Sequence, residues 1–364
     1  MDYYTLSLCR GLRKNGIQPL VFTSEVRLAP GDITVFFPFR GMFTIKSPAA
    51  KFLVYVAGTV KSIITSRQLS SAIVHFQLFE TSAAHLASMV WHKMQKRKIV
   101  LTLHDIESFA GKTKYLSAGR LLLKLADRVI VHNDYSREKA MEKYRLKQET
   151  IVIIPHGNYN LYAKDGPEKA IARTRIGVSG FDHVLLFWGQ IKPVKGLDIL
   201  LNALPEVLKA YPKTVLVVAG KVWKDDFGYY ENIINKNGLK DNVITRIGFI
   251  PDEEVPIFFS AADIPVLPYR DVFQSGVLMM AMTYGKPVLT SDIAAMKEIV
   301  KEDQTGFLFK SGDAKSLAQQ LIRLLGDPAF RERVGNNGRE LMLKEYDWND
   351  IGKTTADLYR TIRG

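Results

Sequence analysis

One cysteine, Cys9, stands in a chain of 364 residues. An internal disulfide is therefore excluded, and the thiol count fits a reducing compartment. No run of about 18 apolar residues occurs, so no membrane-spanning helix is expected. The region after Met1 lacks the basic-then-apolar layout of a secretion signal, and a cytoplasmic setting is the expectation. His/Cys spacing suited to a metal is missing, as is a G-x-S-x-G turn, so no metal ligand set and no serine-hydrolase nucleophile are assigned. Internal repeats and low-complexity tracts are absent. Acidic residues are scarce in one half: residues 1–160 hold 11 Asp and Glu against 23 Lys and Arg, while 161–364 hold 26 against 27. The first half thus carries +12 of the net +13. A basic half suits nucleic acid, an anionic membrane surface or a phosphorylated lipid. The run WHKMQKRKIV sets His92, Lys93, Lys96, Arg97 and Lys98 beside Trp91 and Met94 with no nucleic-acid motif nearby. A possible anionic membrane surface is favoured over a purely solvated face, and no nucleic-acid partner is expected.

What is present is alternation. Short apolar runs alternate with amphipathic stretches, the pattern of parallel sheets covered by helices, and the length suffices for two separate cores. Strands are expected at Pro19–Thr23, Ile33–Phe37, Ala72–Phe76, Ile99–Leu103, Arg128–His132 and Ile151–Pro155. A second set is expected at Val184–Trp188, Thr214–Ala219, Val243–Gly248, Ile264–Leu267, Pro287–Thr290 and Gly306–Phe309. The polar stretch NYNLYAKDGPEKAIARTRIG between the sets reads as a linker. The organisation is then an N-terminal domain 1–160, a linker 161–180, a C-terminal domain 181–345 and a closing helix 346–364.

Two segments concentrate the chemistry. In LLFWGQIKPVKGLDILL, an apolar run stops at Gly189 and a loop with Lys192 and Lys195 leads through Gly196 into a helix. In PYRDVFQSGVLMMAMTYGKPV, Ser275 and Gly276 open a helix whose first N–H groups, unobstructed at Gly276, offer a positive end to an anion. Two lysines and a helix start suit a diphosphate. His104 follows the strand-like VLTL and precedes Asp105, at a strand's C-terminal end where α/β sites gather. The plain alternative is a loop histidine satisfied by Asp105.

These segments, with VLVVAGK, RIGFIPDEEVPIFFSAADIPVLPY, QSGVLMMAMTYGKPVLTSD and KEIVKEDQTGFLF in that order, resemble the retaining nucleotide-sugar glycosyltransferases of family 4. The first half agrees more weakly through IVHFQLFETSAAHL, VLTLHDIESF, LADRVIVHND and VIIPHGN. The resemblance implies the GT-B fold, two Rossmann-like domains facing across a cleft, with 346–364 crossing back to the first domain. It also implies a strand and glycine-rich loop before the helix DYYTLSLCRGLRKNG. Neither is in the sequence, so the first strand, central between those at Pro19 and Ala72, is expected to be missing and the start truncated.

By resemblance, Lys195 and His104 are the catalytic candidates, Lys195 on the leaving diphosphate and His104 near sugar and acceptor. Gln190 stands where the family often has arginine, with Lys192 two residues on to supply charge. Ser275, Gly276 and Val277 are assigned to the phosphates, Phe249 and Ile250 to the base through their main chain, and His75 to the acceptor side. The family's two glutamates map onto Val272 and Met280, which marks a QSGV-type subgroup and leaves ribose handling open, and Met280 reads as core packing. No cofactor is expected beyond a UDP- or GDP-linked sugar as co-substrate. The implied activity is hexosyl transfer to a glycan or lipid-linked acceptor in surface polysaccharide or glycolipid synthesis, without a metal. The alternative is a non-catalytic subunit that binds nucleotide sugar or a partner protein.

Overall fold

The computed structural model describes residues 2–24, 31–42, 44–68, 73–78, 83–106, 116–161, 163, 166–223 and 226–363. Residues 79–82 and 107–109 of the motifs quoted above, and 162, 164 and 165 of the polar stretch, lie outside them. The chain divides into two units, one of residues 1–157 with 346–364 and one of residues 158–345.

The first unit runs α1 (Asp2–Lys14), β1 (Leu20–Phe22), β2 (Thr34–Phe36), α2 (Pro48–Gln68), β3 (Ile73–Leu78), α3 (Ala83–Met94), β4 (Lys98–Leu103), α4 (Leu116–Leu125), β5 (Arg128–Val131), α5 (Asp134–Tyr144) and β6 (Ile151–Ile153). β4 is a continuous apolar run because both faces of a parallel sheet are covered, and Ile99, Val100 and Leu101 are fully buried. The strands form two parallel sheets, β1-β2 and β3-β4-β5-β6. Among the described residues no ladder joins β1 to β3.

The closing helix belongs to this unit. It is the last element of the chain and crosses α1 where two glycines let the backbones meet. A Cβ on Gly11 would stand 2.0 Å from the Trp348 carbonyl oxygen, and one on Gly352 would stand 2.2 Å from the Gly11 carbonyl carbon.

The second unit runs α6 (Lys169–Ile176), β7 (His183–Trp188), α7 (Leu197–Ala210), β8 (Thr214–Gly220), α8 (Gly228–Lys236), β9 (Val243–Ile247), α9 (Val255–Ala261), β10 (Ile264–Leu267), α10 (Gly276–Thr283), β11 (Leu289–Ser291), α11 (Ala294–Lys297), β12 (Phe307–Phe309), α12 (Ala314–Leu325) and α13 (Pro328–Glu345); the closing helix is α14 (Trp348–Arg363). Its parallel sheet has the order β12-β11-β10-β7-β8-β9. From β7 the chain moves outward through β8 and β9, and from β10 it moves the other way through β11 and β12. The order therefore reverses between β7 and β10, the place where open α/β sheets leave a crevice outside their strand ends.

The linker expected at 161–180 is corrected. α6 lies inside that stretch and docks on the second unit: Ala172 and Ile176 are buried, and Lys169 and Arg173 reach the buried Asp263 carboxylate at 2.5 and 2.6 Å. The Val184 N–H donates to the same carboxylate at 2.7 Å. The polar composition that read as linker is one solvated face of a short helix plus two cations consumed by one buried acid.

Candidate functional site

The site of the second unit is built on the strand ends at that reversal. After β7 the chain turns at Gly189, φ 104°, a left-handed position suited to glycine. The Gly189 N–H donates to the Ala219 carbonyl, and a Cβ here would lie 3.2 Å from Val277 Cγ2, so the end of β7 abuts the start of α10. The loop is fastened to the end of β8 by two bonds, from the Ile191 N–H to the Lys221 carbonyl at 2.9 Å and from the Trp223 N–H to the Ile191 carbonyl at 3.1 Å. It is fastened to the end of β10 by Arg270. The Arg270 guanidinium donates to both Asp198 oxygens, at 2.8 and 2.6 Å, and to the Pro193 carbonyl at 2.8 Å, while its N–H donates to the Val194 carbonyl. Gly196, φ 68°, completes the clamp: a Cβ there would stand 1.9 Å from the Pro268 carbonyl oxygen.

This clamp positions the lysines. Lys195 Nζ lies 3.6 Å from the centroid of the fully buried Tyr269 ring, a cation over the negative face of an aromatic. Burial pushes the Tyr269 phenol above its ordinary range. Lys192 Nζ lies 5.5 Å from the Trp223 ring. Both lysines are half-buried, and Gln190 is exposed. The structure thus sets Gly189 against the first turn of α10, with Lys192 and Lys195 on the loop that follows Gly189. Phe249 and Ile250 follow β9 two strands away, with Phe249 exposed and the Gly248 N–H bonded to the Gly220 carbonyl.

At α10 the Ser275 hydroxyl is a helix cap, its oxygen accepting from the Leu278 N–H at 3.2 Å, and its own O–H remains a donor beside the N–H groups of Gly276 and Val277. Gly276 does not open onto clear space. The Tyr159 hydroxyl sits 2.5 Å from where a Cβ would be, and burial raises that phenol to about 12. Val272 is buried, and Met280 is half-buried rather than a core residue. Tyr159, Asp198, Tyr269 and Arg270 escaped the sequence reading. Arg270 and Asp198 are 72 positions apart and carry no joint signal, whereas Tyr269, closing the apolar run IPVLPY directly after a strand, did offer one.

In the first unit His104 directly follows β4, in a buried group with His132, His156, Tyr4 and Trp348. His132 Nδ1 lies 2.9 Å from the Ile154 carbonyl, which only accepts, so Nδ1 carries the proton and Nε2 is the acceptor. His104 Nδ1, 3.1 Å from that Nε2, must then be its donor, which leaves His104 Nε2 as the basic nitrogen. Burial holds all three imidazoles below their usual pKa, His132 at about 4 and His156 at about 3, with repulsion between the rings adding to it for His104 and His156.

His75 is corrected from its acceptor-side assignment. Nδ1 is 2.6 Å from the Tyr359 hydroxyl on α14 and Nε2 is 2.7 Å from Thr102 Oγ1, so both nitrogens are spent inside the unit. The basic run at Trp91–Lys98 is also largely spent. Arg97 is buried and donates to Ser66 Oγ and the Ser66 carbonyl, His92 is buried, and Lys93 and Lys98 both face Asp127, at 2.6 and 4.0 Å.

Comparison with known proteins separates the two halves in the same way. Residues 1–157 match the family model for Glycosyltransferase Family 4, and residues 169–341 match that for Glycosyl transferases group 1. Each half is thus similar to a glycosyltransferase family model, the first to family 4 and the second to group 1. An uncharacterised glycosyltransferase of Methanocaldococcus jannaschii is 30% identical over 53% of this chain and 48% of its own length. The phosphatidyl-myo-inositol mannosyltransferase of Mycobacterium leprae is 27% identical over 66% of this chain and 60% of its own. The chain therefore spans about half to three-fifths of these curated relatives. HepE of Anabaena, solved in complex with UDP and glucose, superposes with a TM-score of 0.78 at 19% identity over 99% of this chain and 95% of HepE. A Rickettsia africae glycosyltransferase superposes at 0.75 and 17%, over 99% and 94%. The fold is GT-B.

Proposed function

We propose that this chain is a retaining glycosyltransferase that moves a hexose-type unit from a UDP- or GDP-linked sugar to a glycan or lipid-linked acceptor, in surface polysaccharide or glycolipid synthesis. One observation carries the reading. Lys192 and Lys195 on one clamped loop, and the Gly276 and Val277 N–H groups at one helix start, stand at the ends of adjacent strands where the sheet order reverses. Breaking the bond between the anomeric carbon and the β-phosphate oxygen builds negative charge on that phosphate, and fixed cations and N–H dipoles aimed there lower the barrier. In front-face substitution the acceptor oxygen bonds to the anomeric carbon on the face the phosphate leaves, and the departing phosphate takes the acceptor proton. His104 is assigned to the sugar and acceptor, and Phe249 and Ile250 to the base. The nucleotide-sugar chemistry of the relatives supports this assignment. Work at the inner face of a membrane follows if the acceptor is lipid-linked.

The test is titration of the protein with UDP and with GDP, followed by transfer assays from labelled nucleotide sugars to glycan and lipid-linked acceptors. Failure to bind either diphosphate overturns the reading. Binding without transfer to any acceptor favours the second reading, a non-catalytic nucleotide-sugar-binding or partner subunit. That reading is motivated by Val272 and Met280 standing where the family carries glutamates.

A further inference from the structure

The solvent side of α2 is apolar. Phe52 and Leu53 are 62% and 67% exposed, Val60 and Ile64 49% and 55%, and Val56 lies between them. At 100° per residue Leu53, Val56, Val60 and Ile64 fall within an arc of about 80°, on one face of the helix, and span about 17 Å along it. The opposite face is the one packed inward. Gly58 there approaches Phe39 and the Pro38 carbonyl so closely that a Cβ would clash at 2.5 and 2.7 Å. The usual order of an amphipathic surface helix, apolar in and polar out, is thus reversed over about three turns. The stripe does not stand alone. Buried Arg97, at the end of the turn after α3, donates to Ser66 near the end of α2 and holds the two helices side by side, and α3 adds exposed Trp91 and Met94.

Charge selects the occupant. Lys51, Lys61 and Arg67 are exposed along α2, and neither α2 nor α3 nor α4 contains a single Asp or Glu. Pairing this face with the same face of a second copy would set Lys61 and Arg67 against their own likenesses with no carboxylate to separate them. A surface that is apolar along its axis, basic at its margins and without an acid on its helices matches the interface of an anionic bilayer, where apolar side chains sink to the acyl boundary and cations meet headgroups. Among the described residues no helix is long and apolar enough to cross a membrane, so α2 would lie in the plane.

We infer that the exposed face of α2, with Trp91 and Met94 of α3, is a docking surface for anionic lipid bilayers. The inference rests on the proposed function only in that a lipid-borne acceptor gives the docking a purpose. It also replaces the Trp91–Lys98 basic run, whose cations are mostly engaged within the protein, by a surface that no sequence motif announced.

The experiment is flotation of the whole chain with vesicles of one part phosphatidylglycerol to two parts phosphatidylcholine, against pure phosphatidylcholine. Binding to the anionic vesicles should be about tenfold stronger and should fall as salt is raised. The double variant Leu53→Glu with Ile64→Glu, both exposed and therefore tolerated by the fold, should lose binding to either vesicle. Lys61→Gln with Arg67→Gln should keep residual binding and lose the anionic preference, while Lys96→Glu should change little. Undiminished binding by the Leu53→Glu, Ile64→Glu variant overturns the inference, as does a wild-type protein that ignores anionic vesicles. A concentration-dependent dimer that the same variant abolishes, without vesicle binding, would make the face a protein interface instead. Titration with UDP and GDP in the absence of vesicles reads the second unit alone, so failure of the docking and failure of the proposed activity give separate signatures.

Discussion

At the scale of single residues, Lys195 and Tyr269 form the unit that reasoning from sequence saw only half of. The lysine was legible because a strand, a glycine and a basic loop before a helix form a phosphate-binding pattern in local sequence. The pairing was not, because the ring beneath the ammonium, though it closes an apolar run just after β10, lies more than seventy positions away. Lys195→Ala should weaken nucleotide diphosphate binding by about 1.5–3 kcal/mol, the scale of a hydrogen bond to a charged group, and lower turnover further because charge grows on the leaving phosphate. Titration calorimetry and steady-state kinetics measure both; unchanged values would remove Lys195 from the site. Tyr269→Phe keeps the ring face and should leave affinity near wild type. Tyr269→Leu removes it and should cost about 0.5–2 kcal/mol of diphosphate affinity, with equal behaviour of the two variants sinking the positioning role.

At the scale of elements, the strands were read within a residue or two because parallel strands buried on both faces are unbroken apolar runs bounded by turns. α6 was misread as linker for the converse reason. A helix of eight residues with two buried side chains has too little periodicity to stand out, and its docking depends on an acid ninety positions away. Asp263 is 4% exposed and receives two cations and an N–H, so Asp263→Ala leaves Arg173 half-buried without its carboxylate and the Val184 N–H without an acceptor. A loss of about 3–5 kcal/mol in the stability of the second unit is expected by denaturant titration. A change below about 1 kcal/mol would mean that α6 docks on its apolar contacts alone.

At the scale of the whole molecule, the histidines make one unit more sensitive to acid than the other. Burial lowers His75, His92 and His132 to about 4 and His156 to about 3, and lowers His104 as well, and all five lie in the first unit. The folded state resists protonation that the unfolded chain accepts near pH 6.5, so their effect is nil above that value. As pH falls from about 6.5 toward 4 the unfolded chain gains protons first, and each buried imidazole withdraws roughly 1–2 kcal/mol of stability by about pH 5. In the second unit only His183 shows a lowered value, and it is the sole histidine there. Hydrogen exchange between pH 7 and 5 should show the first unit opening well before the second. Simultaneous opening, or the reverse order, would contradict it.

Sequence by itself determined the α/β class, the strand positions, the lysine loop and the helix start at Ser275. Each of these is written in neighbouring residues, as apolar runs, glycines at turns and charge beside a helix terminus. Tertiary structure alone decided which partners those residues meet: the ring under Lys195, the Arg270–Asp198 clamp, the Tyr159 phenol against Gly276, the relay from His104 to His132, and the loss of His75 to the closing helix. It also decided which side of α2 faces out. Helical periodicity shows that apolar residues share a face, but only the packing of Gly58 against Pro38 and Phe39 fixes which face the protein keeps and which it leaves to the solvent.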